Sequence, residues 1–215
     1  TTSLALASDH YLLTSAGTAD WAAVTASHVA QTRAGLSPQS SLDAVTDVRR
    51  HGDAFASADV VWRQGKAAKH QRWHFLTVNG DWLLDEIQEL GADVSGDAVG
   101  IEATIDAAGL SLSRDRIVSP GIVVIHVRNP GSDLNTLSVF RSAGPDDLRS
   151  RLSNAPVGGE SAFVGEIVLP PVTEGDLVLV DVAADAHTIV VGFRGADGTL
   201  QVQDALTATL VIATT

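Results

Sequence analysis

Residues 122–128 constrain the fold more than any other stretch of this chain. The segment is rich in β-branched residues and is interrupted by only two polar ones, His126 and Arg128. Such a composition suits a strand that is buried on both faces. Asn129-Pro130-Gly131 then ends the strand, because Pro fixes φ and Gly accepts positive φ. Residues 120–140 are therefore predicted to form a strand, a tight turn and a second strand.

Short apolar runs separated by turn residues continue to the end of the chain. The candidate strands are residues 100–107, 115–118, 122–128, 136–141, 163–169, 177–182, 188–193 and 206–212. Their spacing is typical of an antiparallel β-sandwich. The long connection 144–159 contains Pro145-Asp146-Asp147-Leu148-Arg149, whose acidic start indicates a turn of helix. Residues 100–215 are accordingly predicted to be an all-β Greek-key sandwich.

The first ninety residues have a different pattern. Residues 1–35 show helical spacing, with apolar stripes at Leu4, Ala7, Tyr11 and Leu12 and then at Trp21, Val24, His28 and Val29. The period then shortens towards two, which predicts strands at 44–51, 54–63 and 69–78. We therefore expect an α+β domain at residues 1–92, with helices on a curved antiparallel sheet, and a Gly-rich linker at 93–99.

Asn79-Gly80 is a strong hairpin signal and joins residues 72–78 to residues 81–87. A two-residue turn fixes the register of the two strands. It predicts that His74 faces Asp85 on one face of the hairpin and that Trp73 faces Glu86 on the other. A buried carboxylate, or a His oriented by an Asp, can act as a base. Cross-strand pairs of this kind are also ordinary sheet stabilisers.

The hairpin sequence Val-Asn-Gly-Asp-Trp-Leu-Leu-Asp-Glu resembles the last hairpin of the nuclear transport factor 2-like, ketosteroid-isomerase-like (SnoaL-like) superfamily. The resemblance covers about residues 1–90 and implies a cone with an apolar pocket, in which some members place a catalytic carboxylate or His–Asp pair. The residues that it implies are the catalytic candidates His74, Asp85 and Glu86 and the pocket-lining candidates Trp62, Trp73, Phe75 and Trp82. Analogy with such domains also suggests a homodimer and a small apolar ligand.

The second half resembles a cupredoxin. The resemblance covers about residues 98–213 and rests on Ser-Pro-Gly-Ile-Val-Val-Ile-x-Val-x-Asn-x-Gly, on Asn-Thr-Leu-Ser-Val, and on Gly-Asp-Leu-Val-Leu-Val-Asp-Val followed by His-Thr-Ile-Val-Val-Gly-Phe. In the copper-binding members, one strand pair supplies a His, and a later strand and loop supply Cys, His and usually Met.

This chain departs from that ligand pattern at every position. The first His position falls near Asn135-Thr136, the Cys position at Val191 or Gly192, the second His position near Gln201 and the Met position at Ala205-Leu206. A blue copper centre needs a thiolate and two imidazoles. His126 and His187 remain as candidates for a weak metal site, although hydrogen-bonded structural roles are the simpler interpretation. No cofactor is predicted.

Composition limits the possible functions further. The formal net charge is −12, which disfavours nucleic acids and anionic membrane surfaces. The chain has no run of about 18 apolar residues, so no membrane span is predicted. It contains neither Cys nor Met, which excludes a thiol nucleophile and is compatible with an oxidising compartment. An exported protein, periplasmic or extracellular, is expected.

Two functional hypotheses follow from the sequence. The first is a non-catalytic binding or interaction protein without copper-based electron transfer, which contacts a small apolar ligand or a protein partner. The alternative is a pocket enzyme of the lyase or isomerase type that uses His74, Asp85 or Glu86.

Overall fold

The computed structural model describes residues 40–92, 97–118, 121–133, 135–154, 162–194, 200–201 and 206–213. The first part contains β1 (Ser40–His51), β2 (Phe55–Gln64), β3 (Ala67–Val78) and β4 (Asp81–Glu89). The second part contains β5 (Ala98–Asp106), β6 (Gly109–Leu112), β7 (Arg116–Val118), β8 (Ile122–Asn129), β9 (Asn135–Arg141), α1 (Pro145–Asn154), β10 (Phe163–Leu169), β11 (Thr173–Val180), β12 (Ala186–Arg194), β13 (Leu200–Gln201) and β14 (Thr207–Ala213).

These strands form two sheets. One has eight strands in the order β1-β2-β3-β11-β8-β5-β6, with β4 also paired to β3. The other has six strands in the order β10-β9-β12-β14-β7, with β13 paired to β12. The pairs β5–β8 and β7–β14 are parallel, whereas the other strand pairs are antiparallel.

One hydrophobic core joins the two sheets. It contains Ile101, Ile125 and Leu179 from the eight-stranded sheet and Leu137 and Ile189 from the six-stranded sheet, each at most 2% exposed. Side chains of two sheets that share one core define a sandwich. The prediction of a β-sandwich for the second half is therefore confirmed.

The predicted α+β fold of the first domain is wrong. Strands β1–β4, which we call the extension, belong to the same sheet as β11, β8, β5 and β6. Among the described residues the single helix is α1, which lies in the second half and packs Leu148 against Phe140, Phe163 and Val190. The helices predicted within residues 1–35 lie outside the described residues. The resemblance to nuclear transport factor 2-like proteins is thus not supported.

The turn between β2 and β3 attaches the extension to both sheets. The Lys66 N–H donates to the Val164 carbonyl of β10 at 2.6 Å, and the Lys66 carbonyl accepts from the Val180 N–H of β11 at 2.8 Å. Gly65 has φ +62°, and a Cβ there would lie 2.7 Å from the Val164 carbonyl oxygen. Only a glycine fits so close to a neighbouring backbone without strain.

Ala67 continues this attachment into the core. It is fully buried and pairs with Leu179 of β11. Opposite it, on β10, is Gly165. The predicted division at residues 93–99 falls between β4 and β5 and stays a prediction. No helix in the described ranges is long and apolar enough to cross a membrane.

We expect Gly165→Ala to destabilise the protein. The added Cβ would lie 2.8 Å from both the Ala67 Cβ and a Leu179 methyl group. Overpacking of this kind costs about 1–3 kcal/mol of unfolding free energy. Urea denaturation measures the loss. The control is Gly100→Ala, since a Cβ at Gly100 meets no atom within 4 Å. Equal stability of the two variants would contradict this account of the junction.

Candidate functional site

The hairpin β3–β4 has the predicted turn but only part of the predicted register. Asn79 and Gly80 both have positive φ, at 54° and 91°, as a tight hairpin turn requires. The register is as predicted from Val78–Asp81 to Phe75–Leu84. It then shifts by one residue at a bulge, in which Asp85 is the extra residue of β4.

The bulge changes the partners of the catalytic candidates. His74 lies opposite Glu86 instead of Asp85, and Trp73 lies opposite Ile87 instead of Glu86. On its other side His74 lies opposite Ser57 of β2. The predicted His74–Asp85 pair is therefore wrong. His74 is half-buried and Glu86 is exposed. A catalytic role for His74, Asp85 or Glu86 stays a prediction.

Three of the four aromatic candidates form one cluster. The rings of Trp62 and Trp73 meet edge to face with centroids 6.4 Å apart, and the Phe75 ring lies 6.5 Å from that of Trp73. Both indole N–H groups donate to the Gln71 side-chain oxygen, at 2.7 Å from Trp62 and 3.0 Å from Trp73. The Gln71 amide in turn donates to the Glu89 carboxylate at 2.5 Å. The polar edges of these Trp rings are thus satisfied within the cluster.

Trp82 has a different environment. It lies opposite Thr77 near the turn of the hairpin, and the Arg50 guanidinium stands 5.6 Å from its ring centroid. This cation–π contact is at an exposed Arg and contributes about 0.5–1 kcal/mol at most. The register puts Trp82 on the same face of the sheet as Phe75 and Trp73, and the pocket-lining role of the four aromatic residues stays a prediction.

Lys69 is the residue that sequence reasoning missed. It lies opposite Trp62, and strand alternation puts it on the same face of β3 as Gln71 and Trp73. The residue is only 8% exposed, and its ammonium donates to the Glu166 backbone carbonyl of β10 at 2.7 Å. Burial lowers the pKa of Lys69, although the carboxylates of Glu89 and Glu166 oppose that effect.

The Glu166 side chain links the extension to the six-stranded sheet. Its carboxylate accepts from the Gln64 amide at 3.0 Å and from the Ser138 hydroxyl at 3.4 Å. With Lys69 on its backbone carbonyl, Glu166 thus contacts β2, β3 and β9. Lys69, Gln71, Glu89 and Glu166 form what we call the junction cluster. Period-two spacing from Lys69 to Phe75 was the sequence signal that could have identified its β3 members.

The two predicted metal candidates lie on different sheets. His126 belongs to β8 of the eight-stranded sheet and is half-buried. His187 belongs to β12 of the six-stranded sheet and is 1% exposed. Its Nδ1 is bonded to the Asp185 carbonyl at 3.1 Å. Burial lowers the pKa of His187. Within the described part of the chain, no three His, Asp or Glu residues are grouped to hold a metal ion.

His126 is surrounded by carboxylates. Its Nδ1 lies 2.7 Å from an Asp176 oxygen and its Nε2 lies 3.7 Å from a Glu174 oxygen, while Glu102 is opposite on β5. The hydrogen bond to Asp176 is the main cause that raises the pKa of His126, and burial opposes it. Arg128 of the same strand faces Glu174 at 3.6 Å.

We expect Asp176→Asn to lower the pKa of His126 and to reduce the pH dependence of stability. Because the folded pKa lies above the ordinary value of 6.5, the stabilising contribution of His126 is complete below that value. It is lost as the pH rises through the raised folded pKa. An NMR titration of the imidazole signals measures the pKa, and urea unfolding on either side of the transition measures the stability. The pKa of His187, on the other sheet, should not change. If the pKa of His126 were the same in the variant, Asp176 would not be the cause of the raised value.

The positions that correspond to copper ligands are close together in the sheet. Thr136 of β9 lies directly opposite Gly192 of β12, and Leu137 lies opposite Val191. Val191 is 1% exposed and belongs to the hydrophobic core. Gln201 lies on β13 opposite Phe193, whereas Ala205 is outside the described residues.

Asn135 stands at the first predicted His position and is part of an amide network. Its side chain donates to the Asn129 side-chain oxygen at 2.9 Å. Asn129 is 1% exposed and donates to the carbonyls of Asp133, Leu169 and Pro170 at 2.9, 3.2 and 3.0 Å. The network ties the β8–β9 loop to the β10–β11 turn, so amides stabilise this end of the sandwich.

Sequence comparison with known proteins does not identify a family for this chain. No family model matches the chain. Anthranilate phosphoribosyltransferase of Frankia alni is 30% identical over 127 residues, a match that covers 59% of this chain. The same match covers 31% of that enzyme, so the chain spans about a third of its relative's length. The match does not establish a family.

Comparison with solved structures gives matches with low scores. The reduced auracyanin of Roseiflexus castenholzii has 10% identity and a TM-score of 0.39, with 55% of this chain and 99% of that chain covered. Auracyanin A of Chloroflexus aurantiacus, a "blue" copper protein, has 14% identity and a TM-score of 0.39, with 54% and 99% covered. A multicopper oxidase of Pediococcus acidilactici has 10% identity and a TM-score of 0.31, with 66% and 35% covered. Scores this low carry no argument about fold or function.

Proposed function

We propose that this protein is a non-catalytic binding protein built on a cupredoxin-like sandwich that does not use copper. One observation carries the proposal: the 215-residue chain contains no cysteine. A blue copper centre depends on a Cys thiolate, which provides the electronic coupling for electron transfer. Without a thiolate the sandwich cannot form a blue copper centre, and its surfaces are the parts to which we assign the binding role.

The residues at the expected ligand positions support the proposal. Val191 is buried in the core, and its side chain has no atom that can coordinate a metal. Asn135 is bonded to Asn129 and would have to give up that bond to reach a metal. Amides and apolar side chains at these positions stabilise the scaffold and offer no soft ligand.

The extension supplies the contact surface in this proposal. Five large apolar side chains of β1–β4 are exposed, namely Leu42, Val45, Val48, Phe55 and Val78, with exposed fractions from 41% to 72%. Exposed apolar side chains that are grouped mark interaction sites more often than scattered ones do. Two bulges interrupt the pairing of β1 with β2, so the contact would be made by side chains more than by the strand edge.

The pocket-enzyme alternative stays a prediction, and in the observed register Glu86 takes the place expected for Asp85 opposite His74. Export also stays a prediction; fractionation of cells that express the complete gene would test it.

We expect titration with Cu²⁺ to give no intense thiolate-to-copper absorption band and no reversible redox couple. Any weak binding should come from partly exposed imidazoles such as His126, and His126→Ala should then weaken it. Visible absorption and electron paramagnetic resonance measure the outcome. A type 1 copper signal in the purified protein would refute the proposal.

We further propose that the extension contacts a second copy of the chain. Val48→Asp should then shift the protein from dimer to monomer, because a charge on a residue that is 72% exposed is harmless in the monomer but costly in an apolar interface. Sedimentation velocity over a concentration series measures the assembly state. The matched control is Val172→Asp, 77% exposed but outside the extension. A wild-type protein that is monomeric throughout the series would exclude the homodimer.

A further inference from the structure

The eight-stranded sheet is wider than the sheet that it packs against. On the side of the extension, β10 is the last strand of the six-stranded sheet, and it is bonded to Gln64, Lys66 and Lys69. The four strands β1–β4 continue past this junction for most of their length. In the part of the chain that the structure describes, no strand of the six-stranded sheet therefore lies opposite the rest of the extension.

The register assigns the side chains of the extension to its two faces. Ala67 faces the core, so the alternate residues of β3 and the residues paired with them share that face. We call it the overhang face. Six of its apolar and aromatic side chains are Val45, Trp62, Trp73, Phe75, Trp82 and Leu84. Val45 is 48% exposed and the other five are half-buried, so the interior face of the sandwich continues to the surface of the molecule.

The opposite face of the extension is polar. Arg72 is bonded to Asp59 by two hydrogen bonds of 2.6 and 2.9 Å, and His74 lies opposite Glu86. Two exposed apolar side chains of this face are at the first or last position of a strand, namely Phe55 and Val78. A sheet with one polar and one apolar face is stabilised when the apolar face is buried against another element.

We propose that the overhang face packs against the overhang face of a second copy, so that the two extensions form a further sandwich between the molecules. This inference rests on the proposed contact between copies and assigns it to one face. The shortest of the four strands, β4, has nine residues. Four strands about 4.8 Å apart, with nine residues at about 3.4 Å each, span about 19 Å by about 30 Å. Two such faces cover about 1,100 Å², and a specific interface needs about 1,000 Å².

The charges on the overhang face favour a twofold arrangement. Besides the buried Lys69, the charged residues that the register assigns to this face are Arg50 and Glu89. Arg50 lies on β1 towards the end with the Asn79-Gly80 turn, whereas Glu89 lies on β4 at the other end, so the two are at diagonally opposite corners. In a twofold dimer every contact between two different residues occurs twice. A twofold axis that exchanges these corners brings each Arg50 to the partner's Glu89.

Thiol labelling tests which face is covered. The chain has no cysteine, so Val45→Cys and Thr46→Cys each introduce a single thiol. Both residues are exposed on β1, but Val45 belongs to the overhang face and Thr46 to the opposite face. Because only the free monomer exposes the covered thiol, we expect a maleimide to modify Val45→Cys at least about tenfold more slowly in concentrated, dimeric protein than in dilute protein. The rate for Thr46→Cys should be the same at both concentrations.

Two neighbouring leucines of β4 form a second matched pair. Leu84 lies on the overhang face and Leu83 on the opposite face, and both are half-buried. Leu84→Asp should make the protein monomeric in sedimentation velocity, because a charge in an apolar interface is costly, whereas Leu83→Asp should leave the dimer intact. Circular dichroism verifies that both variants are folded. If Leu84→Asp does not fold, the labelling rates of the two cysteine variants decide the question.

The outcomes separate this inference from the proposed function. A wild-type protein that is monomeric at every concentration would refute the contact between copies and this inference with it, whereas the copper titration tests the copper-free binding protein independently. A wild-type dimer in which Val45→Cys reacts equally fast at both concentrations, or in which Thr46→Cys is the protected thiol, would overturn the overhang face alone. Protection of Val45→Cys at every concentration would also overturn it, since another part of the same chain would then cover the face.

Discussion

The structure depends on two backbone hydrogen bonds of one residue. Lys66 donates its N–H to β10 and accepts from the N–H of β11 through its carbonyl, so a single residue in a turn connects both sheets of the sandwich. An edge strand such as β10 exposes unpaired backbone groups, which proteins commonly cover. Here the turn covers one carbonyl of β10, and the Lys69 ammonium covers the next outward-facing one, at Glu166. The close approach requires Gly65, and the fully buried Ala67 extends the contact into the core.

The contact of this turn with both sheets is a long-range feature, and the sequence predicted local features better than long-range ones. Local signals were reliable for the elements themselves: Asn79-Gly80 predicted a tight turn, and residues 122–128 predicted strand β8. The expected burial of both faces of β8 was wrong, because its residues alternate between buried and partly exposed. The sandwich half followed from repeated short strands. The long-range pairing of Ala67 and Ala68 with β11 could not be predicted, because strand alternation shows which face of a strand is apolar and not which sheet it joins. A set of strands that continues a sandwich sheet therefore had the same pattern as the sheet of a separate α+β domain.

In the candidate site, too, the features that depend on pairing between strands could not be predicted from the sequence. A bulge of one residue at Asp85 was invisible in the sequence, yet it changed every pair beyond it. Gln71 gave no motif, although it accepts from two indole groups and orients Glu89. Lys69 was passed over because a lysine is normally a surface residue, and only its partner on β10, nearly a hundred positions later in the chain, makes it a buried one. Absence of cysteine, by contrast, is a property that the sequence alone establishes.

The position of Lys66 also has a mechanical consequence. Its carbonyl continues the pairing of β3 with β11 inside the eight-stranded sheet, whereas its N–H reaches Val164 of the six-stranded sheet, so a load applied to β1–β4 arrives at both sheets through this residue. Under tension the turn would thus behave as a clamp that passes force from the extension to both halves of the sandwich at once, and the rate of forced unfolding would be set there.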